Sequence, residues 1–107
     1  MADAPTQALS IQGRITVDTS SAMLRALADA LRARPDRVTV DFSGVTHIDT
    51  SGLATLLEVT RIARSQGTRL VLQGVHDQPR QLLDFCRIDH LLDFADGDAV
   101  DHADRDQ

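Results

Sequence analysis

The sequence predicts a single α/β domain with a small, mixed or mostly parallel sheet of about four strands and helices mainly on one face. Its 107 residues suffice for one domain. Strand-like segments alternate with amphipathic helical segments along the chain, and helices that join successive strands imply parallel pairing. Hydrophobic residues make up 42% of the chain but aromatic residues only 3%. We therefore expect a core of aliphatic side chains.

The first strand and helix are predicted after a frayed polar N-terminus, residues 1–7. Residues 8–15 alternate apolar and polar side chains until Gly13, which indicates a bent strand or a tight hairpin. Hydroxyls at positions 19–21 can cap the following helix, and Pro35 ends it. The buried face of this helix is predicted to carry Leu24, Leu27, Ala28 and Leu31, with an Arg25–Asp29 pair on another face.

The second strand and helix form the middle of the chain. Residues 38–42 are β-branched and alternating, and the Ser43-Gly44 pair then predicts a loop over 43–49. The longest periodic segment follows, up to about Gln66, with Gly67 as its C-terminal cap. Its buried face is predicted to consist of Leu53, Leu56, Val59 and Ala63.

The last elements complete a domain that we assign to residues 8–94. A strand is predicted at residues 70–72 with Val75, and a helix starts near Asp77 and Pro79. The expected buried residues of this end of the chain are Leu82, Phe85 and Cys86 in the helix, then Ile88, Leu91, Leu92 and Phe94. Residues 95–107 carry five Asp and one Arg, and we expect a disordered acidic tail.

Composition excludes several classes of protein. A net charge of −5 argues against binding to nucleic acid, which requires clustered cations. The chain has no basic leader and no apolar run long enough to insert into a membrane, so we expect a soluble, cytoplasmic protein. The single cysteine, Cys86, lies in an apolar run and is predicted to be a buried thiol in a reducing compartment.

No residue pattern points to catalysis, a metal or a cofactor. His47, His76, His90 and His102 lack metal-ligand spacing, and structural or solvated histidines are the better interpretation. The acidic run 96–101 lacks the Gly and Glu of a calcium-binding loop. Neither glycine-rich phosphate-binding motif occurs, and nothing places a base beside a nucleophile. We therefore predict a binding protein and not an enzyme.

The segment Asp49-Thr50-Ser51-Gly52 carries the strongest functional signal. Asp49 is placed to cap the longest helix by accepting amide hydrogen bonds from residues 51 or 52. Thr50 and Ser51 then lie in the first turn, where the helix dipole tolerates a phosphate on either hydroxyl. The same letters also occur at ordinary, well-capped helix starts, with Gly52 allowing close packing on a strand. Spacing alone leaves both interpretations open.

The stretch VTVDFSGVTHIDTSGLATLL, residues 38–57, resembles the signature of the STAS family, named after sulfate transporters and anti-sigma-factor antagonists. The likeness continues through GTRLVLQGV at 67–75 and from Leu82-Leu83 to Ile88-Asp89. It implies a STAS-like domain over nearly the whole folded part. It also implies that residues 43–49 and the first turns of helix 50–66 bind a partner protein, with Asp49, Thr50, Ser51 and Gly52 at the centre and Ser43 and His47 alongside.

In the anti-sigma-factor antagonists that this chain resembles, the hydroxyl residue after the Asp is phosphorylated by its partner, an anti-sigma factor with serine/threonine kinase activity. Here that residue is Thr50, and Ser51 is the second choice. A PP2C-type phosphatase is a further partner that this resemblance implies. Family members often carry Ser at the modified position, so the Thr departs from the common pattern. Ser51, as a second hydroxyl, favours this branch.

The chain also resembles the STAS accessory subunit of bacterial phospholipid-transport ABC systems, through QGVHD at 73–77 preceded by Gln66-Gly67. In that branch a D-T-x-G-L segment docks on the ATPase subunit, and Thr50 fits this pattern at least as well. The resemblance therefore leaves two regulatory functions open. We favour an antagonist of an anti-sigma factor, with a regulator of an ABC ATPase as the alternative.

Overall fold

The computed structural model describes residues 6–87 and 91–94, which form a four-stranded sheet and three helices. Each strand but the last is followed by a helix, as the alternating pattern predicts. The elements are β1 (Thr6–Ile15), α1 (Ser20–Arg32), β2 (Arg37–Ile48), α2 (Thr50–Ser65), β3 (Arg69–Gln73), α3 (Asp77–Phe85) and β4 (Asp93–Phe94).

The sheet is parallel throughout its described strands, in the order β1-β2-β3-β4. Alternate residues of β2, among them Val38 and Val40, point into one aliphatic core. All three helices add side chains to that same core, including Leu27 of α1, Leu56 of α2 and Leu83 of α3. The helices therefore cover one face of the sheet, which confirms the predicted α/β architecture.

Strand β2 is longer than predicted, and the expected loop at 43–49 is wrong. The strand runs through Ser43 and Gly44 to Ile48, because β1 supplies a neighbour along this stretch. Gly44 pairs with Gln12 and Ile48 with Ile15. Pairing with β3 ends earlier, at Asp41 and Gln73. The second half of β2 thus extends beyond β3, with a strand on one side only.

Strand β1 is one bent strand and not a hairpin. Its register against β2 shifts between Ser10 and Gln12 and again between Gly13 and Arg14. Gly13 adopts a φ of +86°, a left-handed conformation that glycine tolerates and larger residues rarely adopt. The irregularity lets a strand that begins at Thr6 remain paired to its last residue, Ile15.

Helix α1 is rotated relative to the predicted face. Its buried residues include Met23, Leu27 and Leu31, whereas Leu24 and Ala28 are only partly buried. Thr19 precedes the helix, but its hydroxyl donates to the Arg14 carbonyl at 2.7 Å instead of capping the helix amides. The ion pair on this helix joins Arg32 to Asp29 at 3.2 Å, not Arg25 to Asp29.

Helix α3 also corrects the prediction. Pro79 and Leu83, four residues apart, form its buried face. Because the helix turns this face to the core, Phe85 points away and is 85% exposed. The predicted buried thiol is wrong as well, since Cys86 is exposed. Leu82 is partly buried at the margin of the core.

Helix α2 agrees closely with its predicted boundaries and burial. Leu53, Leu56, Val59 and Ala63 are buried, and Gly67 adopts a φ of +79° just after the helix. None of the described helices combines the length and apolar content that crossing a membrane requires. The predictions for residues 1–5, Ile88, His90 and the acidic tail 95–107 lie outside the described residues.

Candidate functional site at the start of helix α2

The candidate site lies where β1 and β2 end side by side and α2 begins. The Asp49 N–H donates to the Ile15 carbonyl at 3.1 Å, which fixes the turn from β2 into the helix against the end of β1. Thr50 is the first helical residue, in the first turn as predicted. The carboxyl ends of parallel strands are a common place for binding sites in α/β folds.

Asp49 caps the helix as predicted from the sequence. One carboxylate oxygen, Oδ1, accepts hydrogen bonds from the Ser51 N–H at 3.0 Å, the Gly52 N–H at 3.1 Å and the Ser51 hydroxyl at 2.7 Å. The Ser51 hydroxyl and then the Gly52 N–H lower the pKa of Asp49, because both bonds stabilise the ionised carboxylate. A charged Asp49 therefore holds the first turn in one conformation.

Gly52 lets the first turn of α2 sit directly on the ends of the two strands. A Cβ at this position would lie 2.7 Å from Ile15 Cγ2, 2.8 Å from Ile48 Cγ1 and 2.9 Å from the Ile15 carbonyl oxygen. Real side chains do not approach so closely, so any larger residue would push the helix off the sheet. The close packing proposed from the sequence is thus present.

Thr50 and Ser51 have different environments although both carry a hydroxyl in the first turn. Ser51 is half-buried, and its hydroxyl is already bound to Asp49. Thr50 is exposed, and within residues 6–87 and 91–94 its hydroxyl has no hydrogen-bond partner. Since the cap is complete without it, the Thr50 hydroxyl is free to contact another molecule.

His47 and Ser43, the two flanking residues that the resemblance implies, occupy separate places on β2. His47 is half-buried, two residues before Asp49, and lies in register with Arg14 of β1. Its nearby charge contributes to the lowered pKa of Asp49, after the hydrogen bonds. Ser43 is five residues upstream of Ile48, about 16 Å along a strand. It therefore belongs to another part of the surface.

Ser43 instead contacts the segment that leads into α3. Its carbonyl accepts a hydrogen bond from His76 Nε2 at 2.9 Å, and its N–H donates to the Asp41 carboxylate at 2.9 Å. His76 Nδ1 lies 2.9 Å from Asp77 Oδ2. With an acceptor on each ring nitrogen, the imidazolium form is favoured, so the Ser43 carbonyl and then Asp77 raise the pKa of His76.

Gln78 is a site-supporting residue that sequence reasoning missed. Its amide oxygen accepts the Ile48 N–H at 2.9 Å, and its amide nitrogen donates to the Ile48 carbonyl at 3.0 Å. The side chain thus occupies the side of β2 that β3 no longer covers, immediately before Asp49. A glutamine in the first turn of a helix is ordinary, and no local pattern marks this long-range contact.

This arrangement suits binding better than catalysis. The free hydroxyl of Thr50 is not hydrogen-bonded to any base among the described residues, and Asp49 uses Oδ1 to cap the helix. No cluster of three or more potential metal ligands occurs in the described part of the chain. What the site presents is an exposed, neutral side chain on a rigid helix start, set against the positive end of the helix dipole.

Comparisons with known proteins agree with the fold. A family model described as "Mlab, STAS domain" matches residues 2–93. The intermembrane phospholipid transport system binding proteins MlaB of Escherichia coli K12 and Shigella flexneri are each 46% identical over 39 residues. That match covers 36% of this chain and about two fifths, 40%, of each relative's length.

Solved structures share the fold at lower sequence identity. A sulfate transporter family protein from Wolinella succinogenes has a TM-score of 0.70 at 24% identity, covering 87% of this chain and 80% of its own. The unphosphorylated anti-sigma factor antagonist SpoIIAA has a TM-score of 0.65 at 16% identity, covering 96% and 93%. Since the family model spans nearly all of the described sheet and helices, the chain belongs to the STAS domain family that this model describes.

Proposed function

We propose that this chain is a regulatory docking subunit that binds the ATPase subunit of a phospholipid-transport ABC system through the start of α2. It would have no catalytic activity of its own and would act in the cytoplasm, where such ATPase subunits hydrolyse ATP. Asp49 and Gly52 shape the site, and Thr50 makes the contact. Ser51 supports the contact indirectly, because its hydroxyl donates a hydrogen bond to Asp49.

One observation carries this proposal: the hydroxyl of Thr50 is exposed and has no hydrogen-bond partner among the described residues, whereas the Ser51 hydroxyl and the Ser51 and Gly52 amides are all bound to Asp49 Oδ1. A neutral hydroxyl that protrudes from a rigid helix start can enter a partner surface without a large cost in desolvation or conformational entropy. The matching family model and the curated relatives support the transport branch, whereas Ser51, as a second hydroxyl, favours the antagonist branch.

A second candidate is the phosphorylation-controlled antagonist of an anti-sigma factor. The exposed position of Thr50 favours it too, because a kinase needs an accessible hydroxyl and the helix N-terminus tolerates the phosphate. The half-buried, hydrogen-bonded Ser51 is a poorer substrate on the same argument. In this function the anti-sigma factor would bind the unmodified site, and a PP2C-type phosphatase would restore it.

Substitutions of Thr50 separate the two functions. The full chain, with Thr50→Val, Thr50→Ser or Thr50→Glu, is titrated against the purified ATPase subunit of a phospholipid-transport ABC system from the same organism, and separately against an anti-sigma kinase from that organism. Thr50→Val keeps the shape but removes the hydroxyl. Ser65→Val and Ser65→Glu serve as controls, because Ser65 is exposed at the far end of the same helix, about 22 Å away.

For a docking hydroxyl we expect Thr50→Val and Thr50→Glu to weaken ATPase binding roughly tenfold or more, Thr50→Ser to bind normally, and the Ser65 variants to change little. For a phosphorylation switch, Thr50→Val keeps binding the kinase, Thr50→Glu loses it, and incubation with ATP adds one phosphate at Thr50. Normal ATPase binding by Thr50→Glu, or no binding by the unaltered chain, would overturn the first proposal.

A further inference from the structure

A stripe of side chains continues from Thr50 along the exposed surface of α2, and we name it the α2 stripe. Its members are Thr50, Ala54, Leu57, Arg61 and Arg64, whose spacing of three to four residues places them on one side of the helix. Ala54 is exposed and small, and Leu57 is half-buried. A partner that contacts Thr50 therefore meets a shallow surface that leads towards Leu57.

The stripe ends at an apolar cavity about 10–20 Å from Thr50 along the helix. We call it the Leu91 groove; it has a volume of about 290 Å³ and is lined by Leu57, Thr60, Arg61, Arg64 and Leu91. Leu57 and Leu91 supply its apolar walls, and Leu91 is 37% exposed. Arg64 Nη2 donates to the Leu91 carbonyl at 2.9 Å, which holds the far wall in place.

The rim of the groove is cationic in a chain whose net charge is −5. Arg61 donates to the Glu58 carboxylate through Nη2 at 2.6 Å and Nε at 3.3 Å. Arg64 donates one N–H to the Leu91 carbonyl. A guanidinium has more N–H donors than these contacts use, and the two arginines outnumber the single Glu. The groove therefore offers charge-assisted hydrogen bonds to a carboxylate beside an apolar cavity.

We propose that the Leu91 groove is a second contact for the partner that docks at Thr50, and that it receives an aliphatic or aromatic side chain flanked by an Asp or Glu. This proposal rests on the proposed docking function and extends it along the helix. Apolar anchors in cavities and paired arginines are the contacts that dominate the affinity of protein interfaces. Thr50 and the groove together give the partner two separated points that fix its orientation on α2.

Two matched pairs of variants test the groove. In the full chain, Leu57→Ser is compared with Leu24→Ser, another half-buried helical leucine at the margin of the core. Arg61→Glu is compared with Arg25→Glu, an exposed arginine of α1 with the same change of charge. Each variant is titrated against the purified ATPase subunit by calorimetry, after urea unfolding has established that it is folded.

We expect Leu57→Ser and Arg61→Glu each to raise Kd roughly tenfold, and the Leu24 and Arg25 variants to change it less than twofold. A photo-reactive residue at position 57 should crosslink to the ATPase subunit, and one at position 24 should not. If Thr50→Val weakens binding while both groove variants bind normally, the groove proposal is wrong and the docking function stands.

Failure of the docking function gives a different result. If the unaltered chain does not bind the ATPase subunit, the groove proposal falls together with it. Light scattering measures the oligomeric state and so tests another occupant of the groove, a second copy of the chain. A dimer that Leu57→Ser turns into a monomer, with unchanged affinity for the ATPase subunit, would make the groove a self-association surface and would also overturn the proposal.

Discussion

Gln78 completes the backbone hydrogen bonding of Ile48 from a position thirty residues further along the chain. Its amide oxygen takes the Ile48 N–H and its amide nitrogen reaches the Ile48 carbonyl, at 2.9 and 3.0 Å. A neighbouring strand would offer the same donor and acceptor pair. The side chain thus replaces a strand at the place where β2 delivers Asp49 to the site.

Replacing Gln78 by Glu should destabilise the fold in a pH-dependent way. One carboxylate oxygen can still accept the Ile48 N–H, but the other would face the Ile48 carbonyl oxygen without a proton between them. We expect a loss of about 1–3 kcal/mol at pH 7, the usual cost of an unpaired, partly buried group. Protonation restores the donor, so the loss should shrink as the pH falls towards 4.

Urea unfolding at pH 7 and pH 4.5 measures this effect, and Gln81→Glu is the control. Gln81 lies on the same helix but is exposed, so its substitution introduces the same charge without the contact. Equal stability of the two variants at neutral pH would show that the Gln78 amide contributes nothing to the fold.

Gly52→Ala should be one of the most destabilising single-methyl changes in the protein. The added Cβ would lie 2.7 Å from Ile15 Cγ2 and 2.9 Å from the Ile15 carbonyl, so α2 must move away from the sheet. We expect a loss of about 2–3 kcal/mol from overpacking, measured by chemical unfolding. Gly67→Ala is the comparison, because its Cβ meets nothing within 4 Å and only its φ of +79° is strained. A Gly52 variant no less stable than the Gly67 variant would contradict this packing argument.

Removing the Ser51 hydroxyl should raise the pKa of Asp49. That hydroxyl is the largest cause of the lowered pKa, and the Gly52 N–H remains in the variant. We therefore expect the Asp49 carboxyl in Ser51→Ala to titrate at a higher pH than in the unaltered chain. Carbon-detected NMR of the Asp side chains follows this titration, with Asp41 as an internal reference because Ser43, not Ser51, lowers its pKa.

The lowered pKa of Asp49 also determines the direction in which stability changes with pH. A carboxyl whose pKa is lower in the folded state stabilises the fold above its unfolded pKa, about 3.9, and loses this contribution as the pH falls through the folded value. Asn at position 49 can still cap the helix but does not titrate. The Asp49→Asn variant should therefore be less stable than the unaltered chain above this pH, and the difference in stability should disappear in acid. A stability difference that stays constant from pH 6 to pH 2.5 would contradict this expectation.

His76 should make the opposite contribution. Its folded pKa is raised by the Ser43 carbonyl and by Asp77, so its stabilisation is complete below the unfolded pKa of about 6.5 and disappears as the pH rises through the folded value. We expect the unaltered chain to lose stability relative to His76→Gln as the pH rises above about 6.5. Asp77→Asn should lower the pKa of His76 in an NMR titration. An unchanged titration would exclude the carboxylate as a cause.

The parts of the fold that the sequence predicted correctly are those that depend on residues close together in the chain. The alternating strands, the long periodic helix and the Asp49 cap are local features, and the structure contains each of them. The buried face of helix α3 was harder to predict, because a nine-residue helix is compatible with more than one buried face. The apolar residues at this end of the chain are nearly contiguous: Leu82, Leu83, Phe85 and Cys86. The burial of Leu83 decides between those faces, and only packing reveals it.

The candidate site shows the same division. The Asp49 cap could be predicted from adjacent residues, since capping is a local interaction. The role of Thr50 was inferred from the family resemblance and stays a prediction. The extension of β2 past Ser43-Gly44 could not, because pairing with β1 outweighs the local turn signal. Gln78 and Ile15 lie far from Asp49 in the chain, so their support of the site emerges only from the tertiary structure.

Because β2 extends beyond β3, the end of β2 that leads to Asp49 is held by contacts from two distant parts of the chain. Ile15 and Gln78, which hold the two sides of this end, come from opposite halves of the chain. A nascent or truncated polypeptide that stops before residue 78 would lack the Gln78 contact, and the segment that leads to Thr50 would be held only by β1. We therefore expect the start of α2 to be less firmly held in a chain truncated before residue 78 than in the full chain.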